Sequence, residues 1–159
     1  SSVPVLVCAP GPTRPLRHIL AATDGGAASE AAARAAIDLA LLARARVTLV
    51  TCTQPVLELA ISGDRASQVE LAESSASRRF HAPEEYALEH GVRLACEHLY
   101  SQHPSRSILD CARTLDCDLV VMASQRRAGD VAMALGSETL KVLTHAQVPV
   151  LVWRWPSAP

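Results

Sequence analysis

Aromatic residues make up only 3% of this 159-residue chain, against a hydrophobic share of 49%. A core without rings must be built from Ala, Val, Leu and Ile, which suits helices layered on a β-sheet. The length fits one domain that can bury such a core without disulfides or metals. Charge of either sign is not in excess: 15 Lys and Arg face 16 Asp and Glu, a formal net charge of -1. That balance gives no reason to expect DNA, RNA or an anionic membrane as partner. No apolar run approaches the roughly 18 residues of a membrane span. Five cysteines, Cys8, Cys52, Cys96, Cys111 and Cys117, include no C-x-x-C pair and no zinc-like spacing. Reduced thiols in the cytoplasm are the expectation. The opening Ser1-Ser2-Val3-Pro4 has neither the basic flank nor the apolar core of a secretion signal. Catalytic signatures are missing too: no Ser elbow, no Cys–His pair at a recognisable spacing, no paired acids in an activating context.

What is present alternates between two periodicities. His18 to Thr23 is short and apolar and runs into Asp24-Gly25-Gly26, a buried strand entering a tight turn. From Ala27 to Ala45, Glu30, Arg34 and Asp38 line one face while Ala32, Ala36, Leu39 and Ala43 line another, the pattern of an amphipathic helix. Val47 to Cys52 reads as a second strand, halted by Pro55. Between Pro55 and Gly91 the expectation is a loop followed by an imperfect helix. Gly63 and Ser74 to Ser77 weaken a long helix there, and Pro83 should start a turn or kink one. Val92 to Tyr100 is strand-like. Pro104 then opens a helix with Ile108, Leu109, Ala112 and Leu115 on one face, followed by a buried strand from Asp118 to Met122. A polar loop from Ala123 to Leu135, a helix from Ser137 to about His145 and a strand from Val148 to Val152 close the chain.

This order predicts a single doubly wound α/β domain, a five-stranded, mostly parallel sheet with right-handed crossovers and helices on both faces. Ligands bind such sheets beyond the carboxyl ends of the strands, where strand order reverses. The turns at Asp24, Cys52 and Ala123 all fall at that edge. The local basic pairs, Arg78-Arg79 and Arg126-Arg127, read as solvated surface. Cys96 and His98 share a strand face, but no second pair at metal spacing accompanies them. His145, in the last turn of the closing helix, suits the helix dipole better than a substrate.

From Arg17 to Trp153 the chain resembles the universal stress protein family. Three segments carry the resemblance: Ile19 to Gly26, Ile108 to Met122, and Leu135-Gly136-Ser137 through His145 with the closing Val148-Pro149-Val150-Leu151-Val152. The implied fold is that of the adenine-nucleotide alpha-hydrolase-like proteins. ATP-binding members carry a loop G-x2-G-x9-G-[ST], whose glycines let backbone approach phosphate before a helix N-terminus. With Gly136-Ser137 on the final pair, the first glycine falls on Ala123 and the second on Arg126. The bulk of Arg126 fills phosphate space, or its guanidinium pairs with a phosphate; the residues leave both open. The resemblance puts Ala22, Thr23 and Asp24 by the adenosine and the Cys52 backbone by the base. Met122 and Ala123 then flank ribose and phosphates, and Gly136 and Ser137 receive phosphate. Asp24 reads either as a ligand for ribose or magnesium or as a plain turn residue. Ser137 reads either as a phosphate ligand or as an ordinary N-cap.

Val3-Pro4-Val5-Leu6-Val7 repeats the closing Val148-Pro149-Val150-Leu151-Val152 residue for residue and precedes a Pro-rich stretch from Ala9 to Pro15. The expected organisation is a leading arm and linker over 1–16, readable as the closing strand of a preceding similar domain, then a domain over 17–155 and a tail over 156–159. A strand in the arm needs an edge to pair with. The family's dimerisation through closing strands implies a homodimer or tandem-domain partner at Val148 to Val152. Taken together, the resemblance implies a cytoplasmic stress-response regulatory domain binding ATP, with Mg, or another adenine nucleotide. Beyond the slow ATP hydrolysis of some relatives, no enzyme is expected. The alternative is a domain that binds no nucleotide and acts in dimerisation or protein interaction, because its phosphate loop is degenerate.

Overall fold

Each strand of the structure grows from one of the short β-branched or aliphatic runs. The computed structural model describes residues 3–8, 14–54, 65–124 and 135–154. Within them the elements are β1 (Val5–Val7), β2 (His18–Ala22), α1 (Ala27–Ala43), β3 (Arg46–Thr53), α2 (Arg65–Glu89), β4 (Leu94–Tyr100), α3 (Pro104–Thr114), β5 (Leu119–Ser124), α4 (Ser137–His145) and β6 (Val150–Arg154). They build one sheet in the order β1-β6-β5-β2-β3-β4. Neighbouring strands are parallel except β1, which runs antiparallel to β6. The sheet therefore has six strands rather than the expected five, because the leading arm joins it.

Side chains alternate across the sheet, as a period of two requires, and each face gets its own pair of helices. Ile19, Ala21, Val47, Leu49 and Val121 pack with Ala32, Ala36, Ile37 and Ala40 of α1 and with Ala76 and Phe80 of α2. On the other face Leu20, Val50, Val120, Val150 and Val152 pack with Ile108 and Ala112 of α3 and Val142 of α4. The alanines of α1 let that helix settle close on the strands, so a core almost free of rings still fills. Pro104 stands at the start of α3, as expected.

Between Pro55 and Gly91 the structure departs from the sequence expectation. Residues 55–64 lie outside the described residues, but α2 is one helix of 25 residues with Pro83 inside it. Ala72, Ala76, Phe80, Pro83 and Ala87 are all buried and recur on one face. Burial along that stripe offsets the hydrogen bond that Pro83 cannot donate to the Arg79 carbonyl one turn before. Elsewhere the shifts are small. α1 ends at Ala43, where Arg44 adopts a left-handed φ of 54° and its N–H closes onto the last turn.

At the amino end of the sheet, His18 is buried between β5 and β3. Its Nδ1 lies 3.1 Å from the Leu115 carbonyl oxygen and its Nε2 2.8 Å from Thr48 Oγ1. A carbonyl only accepts, so Nδ1 carries the proton and Nε2 accepts from the threonine hydroxyl. Asp118 fixes the strand start by accepting from the backbone N–H groups of Arg17 and His18 at 2.9 and 3.0 Å. Burial pushes the His18 pKa below 6.5, against the opposing pull of the Leu115 carbonyl. Its folded value lies below its unfolded one, so the unfolded chain takes up the proton first. Stability supplied by the neutral ring is complete above about pH 6.5 and declines as pH falls toward the folded pKa. Urea unfolding at pH 7.5 and 5.5 is expected to show lower stability at 5.5. His18→Gln should lose most of that difference, and an unchanged pH difference in the variant would contradict this assignment.

Candidate functional site

β3 lies on one side of β2 and β5 on the other, so strand order reverses between β2 and β5. Beyond their carboxyl ends lie the Asp24 turn, the end of β3 and the start of α4, the edge where doubly wound sheets bind ligands.

The Asp24 turn is braced from within. Thr23 N–H extends the ladder to the Val50 carbonyl at 2.8 Å, after which Gly25 turns the chain with a φ of 80°. Asp24 Oδ1 accepts from Gly26 N–H at 2.9 Å and from Ser29 Oγ at 2.6 Å. Thr23 Oγ1 accepts from Gly25 N–H at 3.1 Å and lies 3.1 Å from Ser29 Oγ. Burial by itself would raise the Asp24 pKa. The bonds from Ser29, Gly26 and its own N–H, with Arg79 nearby, outweigh it and hold the carboxyl below its ordinary value. Asp24 therefore stands as a carboxylate at the N-terminus of α1, where the helix dipole favours it.

Arg79 overturns one expectation. Arg78 stays on the surface, where it donates to Ser74 within its own helix, but Arg79 reaches inward from α2. Its Nη1 donates to Thr51 Oγ1 at 3.0 Å, with the Cys52 carbonyl at 3.4 Å. The stem of Arg79 crosses directly over Gly25: a Cβ at Gly25 would lie 2.7 Å from Arg79 Cγ and 3.3 Å from its Cβ. In sequence this residue was one of an adjacent arginine pair. Its spacing of three from Ala76 and four from Pro83, both on the buried stripe of α2, was the signal that it faces inward.

At the other end of the site, α4 is tied to β5 by Thr139 Oγ1, which donates to the Ala123 carbonyl at 3.3 Å. Gly136 rather than Ser137 is the N-cap, and no side chain among the described residues caps the helix. Ser137 is the first helical residue and is exposed, which corrects its reading as an N-cap. The opening N–H groups of α4 thus face the edge with the positive end of the helix dipole. Glu138, also missed in sequence, accepts from the backbone N–H of Ser105 at 2.9 Å and from Lys141 at 2.7 Å. It locks the starts of α3 and α4 together.

Of the remaining expected site residues, Met122 is buried and packs with Ala22 on the α3/α4 face, so both offer only backbone to the edge. Ala123 packs toward the opposite face beside Trp153. Cys52 is half-buried, its thiol pKa pushed up by burial. Arg126 and Arg127 lie outside the described residues. Cys96 and His98 do share a strand face, but each has its own partner: Cys96 Sγ is 3.3 Å from Glu84 Oε1, and His98 Nε2 is 2.8 Å from Thr53 Oγ1. A cavity of about 980 Å³ runs along α3 and α4 from near their starts to the amino end of the sheet, lined among others by Arg106, Asp110, Arg113, Asp116 and Lys141. Several of its charges already have partners, Arg113 and Arg106 with Asp110, Arg14 with Asp116 and Lys141 with Glu138. It lacks the strand ends and uncapped helix start that the carboxyl edge combines.

Residues 15–154 match the sequence profile of the Universal stress protein family. The universal stress protein MJ0531 of Methanocaldococcus jannaschii is 30% identical over 142 residues, 88% of this chain and 83% of that protein. Among solved structures, a universal stress protein in complex with cAMP superposes with a TM-score of 0.68 at 20% identity, covering 87% of this chain and 97% of the other. A universal stress protein from Archaeoglobus fulgidus DSM 4304 superposes at 0.69 and 20% identity. It covers 97% of this chain, which spans only 50% of that longer one.

The contact at Gly25 has a measurable cost. Gly25→Ala must hold a left-handed φ and also push away the Arg79 stem, whereas Gly91→Ala, at a φ of 67° with open space around it, pays for conformation alone. The Gly91 variant is expected to lose about 1–2 kcal/mol in urea unfolding. The Gly25 variant should lose clearly more, and equal losses would contradict the close approach.

Proposed function

The chain belongs to the universal stress protein family, and we propose that it is a regulatory domain binding an adenine nucleotide at the carboxyl edge of its sheet. One observation carries this reading. The reversal point of the sheet has a braced carboxylate, Asp24, on one side and the uncapped start of α4, anchored to β5 through Thr139 and Ala123, on the other. The carboxylate suits ribose hydroxyls, which donate to it, and the helix start suits a phosphate, which accepts from its N–H groups. Arg79 lies beyond Asp24 at the end of β3, on the other side of β2 from β5, where the planar face of its guanidinium offers an adenine ring a surface to stack on. The complex of a structural neighbour with cAMP supports a ligand of this class.

Of the glycine loop only Gly136-Ser137 remains, while Ala123 and Arg126 stand where the other two glycines would be. Most of the affinity then comes from the nucleoside and one phosphate, with little added by the β- and γ-phosphates. No grouping of nucleophile, base and oxyanion donors enters this reading, which is one of binding and not of catalysis. The second reading, a domain that assembles without nucleotide, is favoured by the arm paired along β6.

Calorimetric titration with Mg-ATP, AMP and cAMP tests the first reading. AMP or cAMP is expected to bind, with Mg-ATP no more than about tenfold tighter than AMP. Asp24→Asn should weaken all of them by about tenfold or more while the domain stays folded. Joint Ala123→Gly and Arg126→Gly exchange should strengthen ATP more than AMP. Absence of heat with all three ligands would sink the nucleotide reading and leave the second.

A further inference from the structure

Glu138 competes with a phosphate for the start of α4. It is the second residue of that helix, one place after Ser137, so its carboxylate lies in the first turn, at the positive end of the helix dipole. One oxygen accepts from the backbone N–H of Ser105 at the start of α3, at 2.9 Å, and the other accepts from Lys141 at 2.7 Å. Lys141 above all, with Ser105, holds the carboxyl below its ordinary pKa against partial burial, so it is charged at neutral pH.

The charge of Glu138 is felt at the strand ends. Burial, and after it the charge of Glu138, push up the pKa of the Cys52 thiol near the end of β3. A ligand spanning from Asp24 to the N–H groups of α4 therefore meets a second carboxylate besides Asp24. The neighbouring cations already have partners: Lys141 bonds Glu138 itself, Arg106 lies 3.9 Å from Asp110, and Arg79 donates to Thr51. The two carboxylates act differently on a nucleotide. Asp24 accepts from ribose hydroxyls, whereas an ionised phosphate has no proton to give Glu138 and meets only repulsion there.

We infer that Glu138 sets how much phosphate charge this site accepts, favouring adenine nucleotides with a single phosphate over polyphosphates. The inference rests on the nucleotide reading and adds to it a residue that acts on one part of the ligand alone. In a water-like medium, a unit charge several ångström from another changes affinity by about threefold. The penalty therefore grows with each phosphate charge near Glu138 and vanishes for a neutral nucleoside. A residue that merely clamped α3 to α4 would affect every ligand alike.

Calorimetric titration with metal-free adenosine, cAMP, AMP and ATP at about pH 8, where ligand charge rises along that series, separates the two roles. Glu138→Gln keeps an oxygen that can accept from Ser105 but removes the charge. It is expected to leave adenosine within about twofold of the parent and to strengthen ATP about tenfold or more, with cAMP and then AMP in between. Glu138→Asp keeps the charge and should keep the parent's ranking of ligands. A uniform change across all four ligands, or no gain for ATP relative to adenosine, would overturn the inference and leave the nucleotide reading standing. Should Glu138→Gln fail to fold by circular dichroism, the ratio of ATP to adenosine affinity in Glu138→Ala decides in the same way. If no ligand of the series binds the parent, the nucleotide reading falls, and this inference with it.

Discussion

The carboxyl edge depends on one close approach, the stem of Arg79 lying across the face of Gly25. Because Gly25 has no Cβ and takes a left-handed φ, α2 can press onto the turn after β2. That contact delivers a guanidinium to Thr51 and the Cys52 carbonyl and sets it within electrostatic reach of Asp24. Cation and strand end are joined, and the carboxylate is held by Ser29 and Gly26, before any ligand arrives. Preorganised polar groups lose little freedom on binding, which is how a site with few contacts gains affinity.

The layers behind the edge explain how α2 comes to lie there. Its buried stripe continues through Pro83, and the proline itself is part of the packed face. A solvent-facing proline would have cost the helix a hydrogen bond with nothing to offset it. On the buried face, contact with the sheet holds the helix in register, and Arg79 emerges one turn before it at the level of the strand ends. The small side chains of α1 act alongside, drawing the first crossover close to β2 and fixing Ser29 under Asp24.

Much of this was legible in the sequence, for reasons that can be named. The helix expected from Ser137 to about His145 is found at Ser137–His145, because Gly136 and the Ala146 to Pro149 stretch bound it in composition as they do in space. Asp24 before two glycines gave the turn, and the apolar runs gave the strands of the parallel sheet. Two features were harder to read. α2 looked broken because serines and a proline lower local helix propensity, and only burial against the sheet outweighs them. Arg79 looked like surface because an adjacent pair of arginines reads as solvated unless the phase of the helix is known. The arm was legible as an echo, but its effect on strand number became visible only in the pairing.

The central claim is that the carboxyl edge, and not the cavity along α3 and α4, is the binding site. Backbone amide chemical shifts recorded during titration with AMP test it most directly. The account predicts perturbations concentrated at Thr23 to Gly26, Cys52 and Gly136 to Thr139. Perturbations concentrated instead at Arg113, Asp116, Asp118 and Val148 would contradict it.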